Sequence, residues 1–257
     1  MTLLQHVLGV LSGFVAGVLS GAFGVGGGIV TTPAIAVLLG GTPIQAVATP
    51  LPVIFPTALA GANEYRKAGQ IDFQAVYWVV GPGIAGAIGG ALLTQVLNPH
   101  WLLLVTAVLL AWQAYRVIAG GSSAKQGERR VPGWEYGVAG LAAGLVSGLL
   151  GVGGGIVMVP IFANLLGMPL KRALGTSLVA IAALVIPGTI VHTWLGHIDW
   201  RVFAVLVIGV VPGAWLGSRL ALRAKERSLR LAVGSFLAVV AVAYGGLEIF
   251  RLLGLPK

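Results

Sequence analysis

A glycine-rich run of seven residues, Gly24–Val30, recurs letter for letter as Gly151–Val157, so residue 151 follows residue 24 by 127 positions. The same shift, without a gap, aligns serines, prolines, threonines and two Gly-x-Ile-Asp loops in the two halves of the chain. The sequence therefore predicts two copies of one structural unit. The aligned pairs include Ser20 with Ser147, Pro33 with Pro160, Thr49 with Thr176 and Asp72 with Asp199.

The composition places these two units in a membrane. Hydrophobic residues make up 57% of the chain and charged residues only 9%, with a mean hydropathy of +0.97. A water-soluble globule of this composition would expose large apolar areas. We therefore predict a multi-pass integral membrane protein. In its first helix, Gly9, Gly13, Gly17 and Gly21 form a stripe that lets a neighbouring helix approach closely.

The charged residues argue against two other classes of protein. The formal net charge is +9, but Lys and Arg lie between apolar segments, as in cytoplasmic loops, so we predict no nucleic-acid partner. The chain has no cysteine, and its seven acidic residues fall at segment ends or in loops. It also lacks H-E-x-x-H and G-x-S-x-G motifs. We therefore predict no enzyme activity, no catalytic residue, no metal site and no cofactor.

Each half divides into apolar segments, the second of which is short in both halves. A segment of about eleven residues rises only about 16 Å, too little to cross a hydrocarbon core about 30 Å thick. The short segments therefore predict broken or re-entrant helices at the glycine-rich runs. We assign 1–119 to the first membrane repeat, 120–133 to a polar cytoplasmic linker and 134–257 to the second membrane repeat. The segments are Leu3–Phe23, Ile29–Leu39, Ile44–Ala62, Phe73–Val96 and Trp101–Ala119, then Trp134–Leu150, Ile156–Leu166, Arg172–Leu195, Trp200–Ala221 and Leu229–Phe250.

Basic residues mark different loops in the two halves. In the first half, Arg66 and Lys67 mark an early loop, whereas the later loop 98–100 has no Lys or Arg. In the second half, the early loop 194–197 has none and the later loop is basic, although two basic residues near the C-terminus break the pattern. Since basic loops stay in the cytoplasm, this predicts an all-α integral membrane protein with two inverted-topology repeats of about five helical pieces each. The later basic loop contains Arg219, Arg223, Lys225, Arg227 and Arg230.

The glycine-rich runs form the candidate binding site. In an inverted pair the two runs meet near the middle of the membrane, and each precedes a short helix whose N-terminus carries about half a positive charge. Glycine permits positive φ and leaves the backbone open to a ligand, which predicts an anion site without a basic side chain. Nearby hydroxyls can donate hydrogen bonds to an oxyanion. The candidate substrate-binding residues are Gly26, Gly27, Gly28, Thr31, Thr32, Thr49, Gly153, Gly154, Gly155, Thr176 and Ser177.

Several of these residues also have a structural interpretation. The glycines can serve tight packing alone, and the hydroxyls can cap helices or bond to helical carbonyls. Asn164 and His192 either line the pathway or make structural hydrogen bonds. Asp72 and Asp199, each followed by an aromatic residue, are predicted N-caps of the next helix rather than catalytic acids.

The sequence resembles the TauE/SafE sulfite exporter family over nearly the whole chain, in four features. They are the paired Gly-Val-Gly-Gly-Gly runs, the Gly-Thr-Ser-Leu sequence at 175–178, the Gly-x-Ile-Asp loops and the length. The resemblance implies a permease of the bacterial inner membrane that carries sulfite, sulfonates or related sulfur-containing anions. The first half departs from the pattern, since Ala48-Thr49-Pro50-Leu51 stands in place of Gly-Thr-Ser-Leu.

Together these features predict a membrane transporter that exports a small anion, with the lipid bilayer as its other partner. An inside-negative potential drives anions outward by about 2.3 kcal/mol per charge per 100 mV, so export needs no coupling ion. A passive anion channel and an intramembrane enzyme are the alternatives. The sequence leaves the identity of the anion and the oligomeric state open.

The predicted topology can be tested by cysteine labelling, because the natural chain contains no cysteine. We expect a single cysteine at Gln126 in the linker to resist an impermeant maleimide in intact cells and to react after the membrane is permeabilised. A cysteine at Thr2 is the matched control and should react in intact cells. Labelling of the linker position in intact cells would contradict the inverted topology.

Overall fold

The long apolar segments of the sequence form long helices in the protein. The computed structural model describes residues 2–93, 131–150 and 153–252, together with positions 108, 111, 112, 114, 115 and 118. All regular structure in these residues is helical. Within the same residues, five helical stretches are long and apolar enough to cross a membrane. The predicted fold class of an all-α membrane protein is therefore confirmed.

The first half begins with a long helix and then breaks. Thr2 caps α1 through a reciprocal pair of bonds with Gln5, and Gly24 ends the helix with a φ of +69°. After α2, Pro33 has no N–H to donate, and the chain continues as a π-helical segment, 34–38. The helices of this half are α1 (Leu3–Phe23), α2 (Gly28–Pro33), α3 (Pro43–Ala48), α4 (Pro50–Lys67) and α5 (Phe73–Leu93).

The second half repeats this order of elements. A short helix again follows a break, ends at Pro160 and continues as a π-helical segment, 161–165. The helices are α6 (Gly133–Leu150), α7 (Gly155–Pro160), α8 (Leu170–Trp194), α9 (Trp200–Arg223) and α10 (Glu226–Leu252).

Most of the predicted segments agree with these bounds within a few residues. The segment predicted as Ile44–Ala62 differs, because the helix is divided at Thr49 and continues to Lys67. Of the segment predicted as Trp101–Ala119, only scattered helical positions are described. The polar part of the linker, 120–130, lies outside the described residues.

The two aspartates of the Gly-x-Ile-Asp loops start equivalent helices. Asp199 Oδ1 accepts hydrogen bonds from the backbone N–H groups of Arg201 at 2.9 Å and Val202 at 3.2 Å. Asp72 Oδ1 accepts one from the N–H of Ala75 at 3.0 Å. These bonds satisfy N–H groups that a helix cannot pair internally. The prediction that both aspartates are N-caps is confirmed.

The first helix of each half packs against a helix of the other half. Helix α1 packs along α9, and α6 packs along α5. A Cβ added at Gly17 would collide with the backbone oxygen of Val210, and one added at Gly144 would collide with that of Gly83. These two contacts are equivalent under the 127-residue shift. The glycine stripes therefore pack helices at backbone distance, as predicted.

Both helix pairs run parallel. Along α1, Gly13 faces Leu206 and Gly21 faces Ala214, so both residue numbers rise together. The equivalent glycines of α6 face α5 in the same sense. Helices α4 and α8 lie in the centre and pack against each other, α4 also against α9 and α8 also against α5. The most buried large side chains belong to this central region, for example Tyr65 and Leu174, both 0% exposed.

Neighbouring glycines of α5 provide a test of this packing. A Cβ at Gly86 would collide with the backbone oxygen of Leu141 on α6, whereas among the described residues no heavy atom of another element lies within 4 Å of one at Gly89. We expect Gly86→Ala to lower the free energy of unfolding by about 1 to 3 kcal/mol. Gly89→Ala, the matched control, should be neutral or slightly stabilising. Unfolding in detergent micelles measures both, and equal effects would contradict the packing.

Candidate functional site

The glycine-rich runs break the chain between a long and a short helix in each half. Gly27 precedes α2 with a φ of +82°, and Gly154 precedes α7 with a φ of +71°. L-residues other than glycine rarely adopt this left-handed conformation. Both glycines are buried. The breaks are therefore ordered backbone turns inside the protein rather than surface loops.

The two breaks touch each other. A Cβ added at Gly155 would collide with the backbone oxygen of Gly24 and would lie 2.8 Å from Val25 Cα. A Cβ at Gly153 would lie 3.2 Å from Ile54 on α4 and 3.1 Å from Ile181 on α8. Ile54 and Ile181 are themselves equivalent under the 127-residue shift. The breaks thus meet where the two halves meet, and only glycine permits the approach.

Neither short helix has a side-chain cap. The capping position is Gly27 for α2 and Gly154 for α7, and no side chain accepts a bond from the first turn. By contrast, Thr2, Thr42 and Asp199 cap their helices. Uncapped first-turn N–H groups attract negative charge, because they add to the positive end of the helix. The arrangement suits a ligand with acceptor oxygens.

Two of the predicted site hydroxyls lie at the first break. Thr31 Oγ1 donates to the backbone oxygens of Gly27 at 3.2 Å and Gly28 at 3.4 Å. Ser177 Oγ donates to the backbone oxygen of Gly24 at 3.1 Å and to that of Leu174 at 2.8 Å. Both hydroxyls satisfy carbonyl groups of the break or its neighbouring turns, which holds the break in shape.

In the described part of the chain, Thr49 and Thr176 do not hydrogen-bond to the glycine-rich breaks, where the sequence predicts them. Thr176 Oγ1 accepts a hydrogen bond from the N–H of Asp72 at 2.9 Å, and Thr49 Oγ1 accepts one from the N–H of Asp199 at 3.1 Å. Both threonines are 0% exposed. Each half thus fixes the loop before a long helix of the other half. These hydrogen bonds lead to the loops before α5 and α9, not to the breaks.

The hydroxyls near the breaks are unequally divided between the halves. Thr31 and Thr32 of α2 correspond to Met158 and Val159 of α7. Thr32 Oγ1 is buried and has no hydrogen-bond partner among the residues that the structure describes. The short helix after the first break therefore carries two hydroxyls that the short helix after the second break lacks.

Three further polar residues stand out. Ser20 Oγ and Asn164 Nδ2 are buried without a partner in the described part of the chain. His192 Nδ1 lies 3.1 Å from His197 Nδ1 at the end of α8, which gives His192 a structural partner. Sequence reasoning did not select Ser20, although its alignment with Ser147 on the glycine stripe was a signal.

The charged side chains lie at the ends of the long helices. Glu64, near the end of α4, accepts hydrogen bonds from Lys67 at 2.8 Å and from Arg219 of α9 at 2.7 Å. Its side chain is only 7% exposed. No group of three or more potential metal-ligand side chains occurs in the described residues.

An apolar cavity of about 420 Å³ lies between α4, α8 and α9. Thr189 is its most polar lining residue, and its hydroxyl already donates to the backbone oxygen of Val185 at 2.8 Å. The cavity therefore offers little to an anion, and none of the break residues lines it. It is lined by Pro52, Phe55, Pro56, Val185, Ile186, Thr189, Ile190, Phe203 and Val207.

Comparison with known proteins gives a consistent result. The model of the family described as "Sulfite exporter TauE/SafE" matches residues 9–244. The chain is 26% identical to "Probable membrane transporter protein YunE" of Bacillus subtilis, over 94% of this chain and 96% of that protein. It is 25% identical to "Probable membrane transporter protein MJ0441" of Methanocaldococcus jannaschii, over 91% of this chain and 92% of that protein. No solved structure matches.

The hydrogen bonds between the halves predict a stability effect. Thr49→Val and Thr176→Val each leave an N–H of the opposite loop without its acceptor, so we expect each to lower the free energy of unfolding by about 1 to 2 kcal/mol. Thr57→Val is the matched control, since Thr57 is 1% exposed and donates only to the carbonyl of Val53 in its own helix. Unfolding in detergent compares them, and equal losses in all three variants would contradict the role of the inter-half bonds.

Proposed function

Because this chain belongs to the TauE/SafE sulfite exporter family, we propose that it is a transporter that exports small anions across the bacterial inner membrane. The cargo that we propose is sulfite or a related sulfur-containing oxyanion, including sulfonates. The matches to membrane transporters cover more than nine-tenths of the chain and of those relatives, so the proposal concerns the whole fold.

The observation that carries this proposal is the contact between the two glycine-rich breaks, each of which leads into a short helix without a side-chain cap. Gly155 at the start of α7 touches Gly24 and Val25 of the other break. Both short helices begin at a glycine without a side-chain cap. Two positive helix ends at one place would repel each other in the absence of a negative charge. An oxyanion between them removes this repulsion and receives N–H donors from the backbone.

The candidate residues then divide by role. The backbone N–H groups of Gly26, Gly27 and Gly28, and of Gly153, Gly154 and Gly155, would bind the anion. Thr32 would donate directly, because its hydroxyl is unpaired among the described residues. Thr31 and Ser177 would hold the first break in its binding geometry. Thr49 and Thr176 would fix the loops before α9 and α5 against the opposite half.

The two halves would act as inverted repeats, 1–119 and 134–257, joined by the linker 120–133. The parallel pairs, α1 with α9 and α6 with α5, support this arrangement, because each pair contains one helix from each half. Inverted repeats that meet at broken helices are typical of carriers with alternating access. Rocking of one pair against the other would open the breaks first to one side and then to the other.

Charge at the helix ends supports a direction. Lys67 and Arg219 meet at Glu64, and Arg172 lies 3.8 Å from Asp72 at the start of α5. These basic residues share one end of the bundle, which would face the cytoplasm. An anion that enters there moves outward down the inside-negative potential.

Flux measurements test the function itself. We expect purified protein in liposomes to carry sulfite with saturation and with counterflow, because a carrier has a limited number of sites. Unsaturable flux without counterflow would favour a channel, and the absence of flux for sulfite, sulfate and methanesulfonate would contradict the proposal.

A glycine substitution tests the site. A Cβ at Gly27 meets nothing nearer than 3.5 Å, so the side chain of Gly27→Leu would extend into the space that the anion needs. We expect this variant to insert and to lose transport. Gly154→Leu does not test the site in the same way, because a Cβ at Gly154 would collide with the backbone oxygen of Ala143. Gly69→Leu is the matched control, because Gly69 has a φ of +67° and nothing lies within 4 Å of its Cβ position. Normal sulfite flux in inserted Gly27→Leu would remove the break from the site.

A further inference from the structure

We infer that the hydroxyl of Ser20 on α1 binds the transported anion and that the anion's oxygens face the first break. This inference rests on the proposed function and adds a residue to its site. Ser20 is 0% exposed. Its Oγ has no hydrogen-bond partner among the residues that the structure describes.

An unpaired buried hydroxyl is unusual in a helix. Serine and threonine in helices commonly donate to a carbonyl one turn earlier. Buried Ser218 does so, with bonds to the backbone oxygens of Ala214 at 2.7 Å and Trp215 at 3.1 Å. Buried Thr57 does so as well, with a bond of 2.6 Å to Val53. Ser20 departs from this pattern, and an unpaired buried hydroxyl destabilises the fold.

The hydroxyl of Ser20 lies close to the first break. Ser20 lies beside the uncapped start of α2, where its Oγ is 3.8 Å and its Cβ 3.5 Å from the Cβ position of Gly27. Because Gly27 has no side chain, it places no atoms between the Ser20 hydroxyl and the backbone of the break. An oxyanion at the first turn of α2 would accept from the backbone N–H groups and from Ser20 together.

The unequal polarity of the halves supports the same orientation. Thr32 is a second buried, unpaired hydroxyl in the first half. Its equivalent in the second half is Val159, and that of Thr31 is Met158. The serine of the preceding long helix occurs in both halves, as Ser20 and Ser147, whereas the hydroxyls of the short helix occur on α2 and not at the equivalent positions of α7. The oxygens of the anion would face the first break.

Ser20→Ala tests the inference through binding and stability together. Because the lost bond is made to a charged ligand, we expect the dissociation constant and the KM for sulfite to rise by about 10-fold to 100-fold. The melting temperature without sulfite should stay equal or rise, since the variant removes a buried unpaired group. Sulfite titrations of the purified full-length protein, thermal unfolding and flux in liposomes supply the three readouts.

Ser218→Ala is the matched control, because Ser218 is also 0% exposed and lies in the interface between α1 and α9. We expect this variant to bind and carry sulfite like the wild type. Wild-type affinity and KM in Ser20→Ala would overturn the inference and leave the proposed function intact. A lowered melting temperature in Ser20→Ala without sulfite would also overturn it, because the hydroxyl would then be structural. A wild-type protein that neither binds nor carries sulfite, sulfate or methanesulfonate would overturn the proposed function and this inference with it.

Discussion

Backbone-to-backbone contact between parallel helices is the constraint on which the rest of the structure depends. Helix α1 reaches α9, and α6 reaches α5, only because glycines leave room for the partner's carbonyl oxygens. Because the hydrophobic effect does not drive helices together inside a bilayer, van der Waals contacts of this kind contribute much of the free energy of helix association. Since each pair joins one helix from each half, the two halves cannot fold as separate units. The exchange also brings the two glycine-rich breaks into contact at the centre.

The breaks show how irregular backbone is stabilised in a buried place. A chain without regular hydrogen bonds is costly inside a membrane protein, so its polar groups need partners from elsewhere. Ser177 from α8 supplies one to Gly24, and Thr31 supplies others within the break. Side-chain caps are absent from α2 and α7 alike. Hydroxyls of the protein therefore satisfy the carbonyl groups of Gly24, Gly27 and Gly28, whereas no described side chain caps the first-turn N–H groups of α2.

The two copies have diverged in their polar residues more than in their packing. Every glycine contact named for α1 has its counterpart in α6, because a change in either stripe would separate a helix pair. By contrast, Glu64 and Arg219 form an ion pair between α4 and α9, while their equivalents are Val191 and Leu92. Thr31 and Thr32 likewise correspond to Met158 and Val159 in the second half. The glycine packing is therefore the same in the two halves, whereas the polar residues differ at the helix ends and at the breaks.

The sequence alone determined the features that depend on local chemistry. The duplication is visible when the sequence is compared with itself, and most helix bounds, the N-caps at Asp72 and Asp199 and the break at each glycine run follow from residues close together in the chain. The tertiary structure decided which hydroxyls are already paired and which are not. Thr176 bonds across 104 residues and Thr49 across 150, so no local pattern assigns them to loops rather than to a site. For the same reason Ser20 reads as one more small residue of a packing stripe, and only the arrangement of its neighbours leaves its hydroxyl unpaired beside the break.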